Sequence, residues 1–268
     1  MRRLDLRAKK GLGQHFLVDH RALSKIIATA GLTPSDTVIE VGAGLGTLTR
    51  ELAKKAGRVI AVEIDARMVE ALRASLADVS NVEIVNADIL TFSPQSPVSV
   101  TSPYKVVGAL PYNIGTAVLR HFLEARPQPL LMVVVLQKEV AQAIAAEPGD
   151  MGILSVSVQF YGKPRIAGYI PSRGFYPSPK VESAILRIEV YDQPCVEVAD
   201  EAAFFRVVRG GFAAPRKQLR NSLAQGLGVA PSDVNALLLE AGIDPQRRAQ
   251  TLSLDEWGKV YRAFADKL

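Results

Sequence analysis

The segment Val38-Ile39-Glu40-Val41-Gly42-Ala43-Gly44-Leu45-Gly46-Thr47 constrains the fold more than any other stretch of this chain. Val38–Val41 is a short apolar run rich in β-branched residues, cut off sharply by glycines, and Thr47–Ala53 has the apolar spacing of a helix. A strand, a glycine turn and a helix in succession bring backbone N–H groups and a positive helix end to one place, where a polar or anionic ligand can bind. The spacing narrows the ligand. A dinucleotide fingerprint, G-x-G-x-x-G, needs glycine at position 47, which is Thr47.

The glycines alternate instead, G-x-G-x-G, a pattern that resembles the S-adenosylmethionine (AdoMet) loop of Rossmann-like methyltransferases. Two further strands support a nucleoside site. Arg58–Glu63 is a second apolar run and ends in a carboxylate about 20 positions after Gly42, where a ribose is held by its hydroxyls. Val82–Asp88 is a third, again ending in an acid, and acids at the carboxyl ends of successive strands line the ligand crevice of open α/β sheets. Either acid alone reads equally well as a solvated strand end.

Composition excludes several classes. The 268 residues suffice for one large and one smaller domain. The single cysteine, Cys195, rules out a disulfide framework or a cysteine-based metal cluster and fits a reducing cytosol. His15, His20 and His121 show no metal-ligand spacing, so no metal is expected. The longest apolar run, Leu130–Leu136, is far below the roughly 20 residues of a bilayer span, and the basic N-terminus lacks the apolar core of a signal peptide. A cytoplasmic protein with no membrane partner is the expectation. Net charge of +5 favours a polyanionic partner.

Along the chain, Arg2, Arg3, Arg7, Lys9 and Lys10 stand against one acid, Asp5, as a solvated tail or a phosphate-contacting arm. A helix over 21–30 precedes the glycine loop, and another over 66–76 follows the second strand. Residues 91–103 form a proline-bearing connection, and Tyr104–Gly108 is a fourth strand running into Ala109-Leu110-Pro111-Tyr112-Asn113. A helix over 116–125, a strand over 130–136 and a helix over 138–146 continue the alternation. The polar–apolar alternation of Ile153–Tyr161 predicts a half-exposed strand, paired antiparallel with a last strand over 181–190 after a proline-interrupted loop at 171–179. This predicts a mostly parallel sheet with helices on both faces and an antiparallel edge over residues 1–192. A small all-helical domain follows over 200–268. No heptad or repeat suggests anything but a monomer.

Taken together these stretches closely resemble the KsgA (RsmA) family of small-subunit rRNA adenine dimethyltransferases. The match runs through Gly13–Leu17, the glycine loop, Glu63, Ala87-Asp88 and Leu110–Asn113. It continues through Phe175-Tyr176-Pro177-Ser178-Pro179-Lys180-Val181-Glu182-Ser183, Phe212–Leu223 and Asp244–Trp257. The resemblance implies AdoMet-dependent dimethylation of two adjacent adenosines near the 3′ end of small-subunit (16S) rRNA in an immature 30S particle. It implies a Rossmann-like methyltransferase domain and a helical rRNA-binding domain. His15 and Leu17 would close over AdoMet, Gly42, Gly44 and Gly46 would form its loop, and Glu40 would order that loop or the methionine amine. Glu63 would hold the ribose and Asp88 the adenine amine. Tyr112 would stack on the flipped target adenine, with Phe175 near its other side and the Pro111 carbonyl accepting one amine hydrogen. Arg206, Arg209, Arg216, Lys217 and Arg220, on or near one helical stretch, would meet rRNA phosphates; a solvated helix face is the alternative.

One position departs from the family. Its N-[LI]-P-[YF] motif carries an asparagine whose side chain accepts the second amine hydrogen, and here Ala109 stands there, followed by Leu110-Pro111-Tyr112. Loss of one such hydrogen bond, about 1–3 kcal/mol, should slow transfer about 5- to 150-fold. This favours an alternative, a non-catalytic factor that docks on immature small subunits. A further alternative is the related large-subunit rRNA adenine methyltransferase of macrolide resistance, against which the Phe212–Leu223 run argues.

Overall fold

A computed structural model describes residues 14–95, 100 and 103–265; the basic N-terminal arm and Gly13 lie outside the described residues. Two compact units result, one from the chain up to Ala141 with Pro164–Val190, the other from Gln142–Lys163 with Tyr191–Leu268.

The first unit is built on a seven-stranded sheet of β2 (Thr37–Val41), β3 (Arg58–Glu63), β4 (Val82–Asn86), β5 (Tyr104–Ala109), β6 (Leu131–Gln137), β7 (Gly162–Ile170) and β9 (Ser183–Val190). Its order is β4-β3-β2-β5-β6-β9-β7. The pairs β3–β4, β2–β3, β2–β5 and β5–β6 are parallel, and β9 turns antiparallel against β6. Strand order reverses between β2 and β5, so a crevice opens beyond their carboxyl ends. The register brings Val41 beside Val62, Glu63 beside Asn86 and Ala109 beside Val135 at that edge. Burial on both faces explains why β2, β3, β5 and β6 read as apolar runs. Leu131, Val133 and Val135 join a core with Leu23 and Ile26 of helix α1 (His20–Ala30) and Leu48 and Leu52 of α2 (Thr47–Ala53). Met132 and Val134, on the opposite face by the two-residue period, are fully buried too. Helices α3 (Ala66–Ser75), α4 (Gly115–Leu123) and α5 (Lys138–Ile144) complete the connections. A separate two-stranded sheet pairs β1 (Phe16–Leu17) with β8 (Phe175–Tyr176), Phe16 opposite Tyr176 and Leu17 opposite Phe175.

The predicted strand over 153–161 is a helix, α6 (Ile153–Gln159). Its first turn is closed by Ser155, whose hydroxyl accepts from Gly152 N–H at 2.6 Å and donates to Gly152 O at 2.9 Å. Phe160, just beyond, stacks on Phe204 at 4.9 Å between centroids and meets Phe205 edge-on. Tertiary packing has overridden the β-branched propensity of this stretch. The edge beside β9 is filled by Gly162–Ile170 instead. The same aromatic packing draws Gln142–Lys163 into the second unit, so the compact units do not follow a sequence boundary at 192.

The rest of that unit is helical: α7 (Glu201–Gly211), α8 (Leu219–Leu227), α9 (Pro231–Glu240) and α10 (Leu254–Phe264). Ser253 and Glu256 form a reciprocal cap at the start of α10, and Glu256 also pairs with Arg247. Trp257, fully buried, packs against Phe212. Among the described residues no helix is long and apolar enough to cross a membrane.

Candidate active site

The glycine loop leaves β2 through three positive φ values, 72° at Gly42, 55° at Gly44 and 78° at Gly46, a sequence of conformations that residues with a Cβ rarely adopt. Backbone bonds tie it to the next strand: Gly42 N–H and Ala43 N–H both donate to Val62 O. Glu63, only 5% exposed at the end of β3, completes the anchorage. Its Oε2 accepts from Gly44 N–H and its Oε1 from Asp65 N–H, both at 2.9 Å. One carboxylate therefore joins the loop after β2 to the start of α3, and each oxygen keeps a lone pair for another donor.

The cleft at the switch point is lined by Gly42, Gly44, Glu63, Asp88 and the run Ala109–Asn113, with His15 and Phe175 among the residues facing them. A smaller recess shares His15, Gly42, Gly44 and Ala109 with the cleft and adds Leu17 and Glu40. Gly46 lines neither; it closes the same loop at the start of α2, where a Cβ would stand 2.8 Å from Leu72 Cδ2, so it also packs closely against α3. Sequence reasoning missed Ile64, a half-exposed apolar residue directly after Glu63, and Ile89, directly after Asp88. The signal was available: an apolar residue following each strand-end acid.

Glu40 is 1% exposed, and its Oε2 has no hydrogen-bond partner among the described residues. Burial pushes its carboxyl up to about 8; the Thr49 hydroxyl opposes this and the charge of Glu63 adds to it. The folded protein therefore binds a proton that the unfolded chain has released between roughly pH 4.5 and 8, and stability conferred by the neutral form is lost as pH rises through that window. Glu40→Gln is expected to raise the melting temperature of the ligand-free protein at pH 8.5 by about 3–6 °C, on the order of 1–2 kcal/mol, and to leave it nearly unchanged at pH 5. A Glu40→Gln difference that did not grow with pH would contradict a buried neutral carboxyl.

Around the base-side residues, Ala109 ends β5 and Leu110 N–H donates to Val135 O. The Pro111 carbonyl accepts from Ile114 N–H at 3.1 Å, which leaves one of its two lone pairs. Tyr112 OH lies 2.6 Å from Ser183 Oγ, and its ring is stacked with His15 at 5.6 Å and 28°. Burial raises the Tyr112 phenol above its ordinary range. His15 Nδ1–H donates to Pro177 O at 2.7 Å. Asp88 accepts from Leu90 N–H at 3.0 Å.

The cationic set is less unified than its sequence spacing suggests. Arg206 and Arg209 belong to α7, Arg216 and Lys217 to the turn after it, and Arg220 to the first turn of α8. They do not share one helix, because Phe212 caps α7 and the chain turns before Leu219. All but the half-buried Arg220 are exposed.

A glycine loop, strand-end acids and a switch-point cleft on a mostly parallel sheet, with β9 antiparallel to β6, define a Rossmann-like methyltransferase domain. The chain belongs to the ribosomal RNA adenine dimethylase family, whose model matches residues 5–266. It is 50% identical over 260 residues to Ribosomal RNA small subunit methyltransferase A of Dehalococcoides mccartyi, covering 97% of this chain and 89% of that protein. The protein of the same name from Pelotomaculum thermopropionicum is 41% identical over 278 residues, covering 99% and 94%. Among solved structures, the 23S rRNA methyltransferase ErmE is 32% identical with a TM-score of 0.74, covering 93% of this chain and 99% of that one. A dimethyladenosine transferase from Plasmodium falciparum, at 22% identity and a TM-score of 0.82 over 94% and 98%, shares the fold.

Proposed function

We propose that this chain dimethylates the exocyclic amines of two adjacent adenosines near the 3′ end of small-subunit rRNA, using AdoMet, during subunit assembly. The observation that carries the reading is 50% identity across 97% of the chain to a small-subunit rRNA methyltransferase, against 32% to a large-subunit one. The reading includes a monomer, working in the cytoplasm on an immature 30S particle without a metal.

The residues present suit AdoMet. Glu63 and Asp88 offer acceptors for ribose hydroxyls and an adenine amine, Ile64 and Ile89 offer apolar surface beside them, and the unpartnered buried Glu40 oxygen offers an acceptor for an amine N–H. When bound, AdoMet supplies an electrophilic methyl on sulfur. The chain's own task is to make the adenine amine attack. That amine is a poor nucleophile because its lone pair is delocalised into the ring; acceptors on its N–H groups favour the pyramidal form, in which the pair is available. The free lone pair of the Pro111 carbonyl serves as one acceptor. Tyr112 and Phe175 supply aromatic surface for a base taken out of its stack. No general base is needed, since the proton is acidic once the amine is methylated.

The assembly-factor reading is favoured by one observation: Ala109 gives the cleft a methyl where an acceptor is wanted. Labelled methyl transfer to unmethylated small subunits, run beside particle binding, separates the two. Transfer of two methyl groups per target base is expected, and binding without any transfer would leave only the assembly role. In the same assay, a charge-reversed Arg216/Lys217/Arg220 variant should bind particles with a logarithmic salt slope lower by roughly one per neutralised phosphate contact. Normal binding by that variant would remove this face from the interface.

A further inference from the structure

The base-side aromatic of the cleft is held from two directions by residues far away in sequence. Ser183 stands at the first position of β9, fully buried, and its hydroxyl is 2.6 Å from the Tyr112 hydroxyl. His15 lies across one face of the same ring at 5.6 Å between centroids. His15 is in turn fixed by its bond to the Pro177 carbonyl, and the β1–β8 pairing on either side, Phe16 with Tyr176 and Leu17 with Phe175, ties the two segments together. A tyrosine ring has two soft torsions; a bond at the para hydroxyl and a plate on one face remove both before any base arrives.

Resting on the dimethyltransferase reading, we propose that Ser183 is a positioning residue that fixes where the Tyr112 ring sits in the cleft while His15 holds its plane, and that the flipped adenine stacks on the ring face opposite His15. Ser183 touches neither base nor methyl donor in this arrangement; it acts through the Tyr112 hydroxyl alone. A buried serine hydroxyl also reads as a simple packing bond, with its loss felt in stability and nowhere else. The two readings differ in what they make of the base. Preorganised stacking lowers the cost of orienting the amine toward the methyl group, and a misplacement of about 1 Å at such a site costs up to about a hundredfold in rate. Because Ser183 acts through one atom, its effect must vanish when that atom is removed.

The test uses small subunits carrying 2-aminopurine at a target adenosine, whose fluorescence is quenched when the base stacks on an aromatic ring, together with single-turnover methylation of unmodified particles. Wild type, Ser183→Ala, Tyr112→Phe and the double variant are compared, with AdoMet calorimetry and melting curves confirming that each is folded. Quenching in wild type should be largely lost in Ser183→Ala, and the single-turnover rate should fall about tenfold at unchanged AdoMet and particle affinity. Tyr112→Phe should match it, and adding Ser183→Ala to Tyr112→Phe should change nothing further. Equal quenching in wild type and Ser183→Ala overturns the proposal, as do effects that multiply in the double variant. Serine-dependent quenching in a protein that never transfers a methyl group would uphold the positioning role and reject the catalytic reading.

Discussion

Glu63→Ala is expected to weaken AdoMet binding at least a hundredfold. The side chain has two structural partners, Gly44 N–H and Asp65 N–H, each at 2.9 Å, besides the ribose hydroxyls it is proposed to hold. Hydrogen bonds to a charged group are worth about 1.5–3 kcal/mol each, and removing the carboxylate leaves a buried N–H of the glycine loop without its acceptor. Loss of one ligand bond together with a loosened loop gives about 3 kcal/mol or more. Asp88→Ala should cost less, about tenfold, because that carboxylate is half-exposed and water replaces part of its bonding. Titration calorimetry reads both. Binding unchanged in the two variants would move the methyl donor out of this cleft altogether.

Ala109→Asn is expected to raise the single-turnover methylation rate at least tenfold while AdoMet and particle affinities stay within about twofold. Ala109 sits at the carboxyl end of β5 and lines both the cleft and its recess, so a carboxamide at this position enters the space where the amine must be held. The added acceptor strengthens mainly as the amine pyramidalises, so its contribution falls on the chemical step and leaves ground-state binding nearly unchanged. Pre-bound particles isolate that step from docking. Equal rates for the two proteins would mean that another acceptor already serves the amine. Absence of turnover in both would reserve the chain for particle binding, with Ala109 a consequence of that role.

The sheet and the position of its cleft were legible from local chemistry. Buried parallel strands are continuous apolar runs, and the glycines after Val41 punctuate the chain so sharply that β2 and β3 could be bounded without a neighbour in view. The acids Glu63 and Asp88 mark strand ends for the same local reason. Other features rest on contacts between residues far apart in the chain. Ile153–Tyr161 carries a strand-like alternation, yet Phe160 finds Phe204 and Phe205, and α6 forms because that packing outweighs propensity. Gly46 looks like its two companions in sequence, and only the fold shows Leu72 packed behind it, 2.8 Å from where a Cβ would stand. Arg216 and Lys217 fall in a turn because the buried ends of α7 and α8 force the chain around. The grip on Tyr112 joins His15, Tyr112, Pro177 and Ser183, the first and third of them separated by 162 positions. Periodicity and spacing describe what a residue can do with its near neighbours; which ring face is covered and which hydroxyl is spent are decided only when distant segments meet.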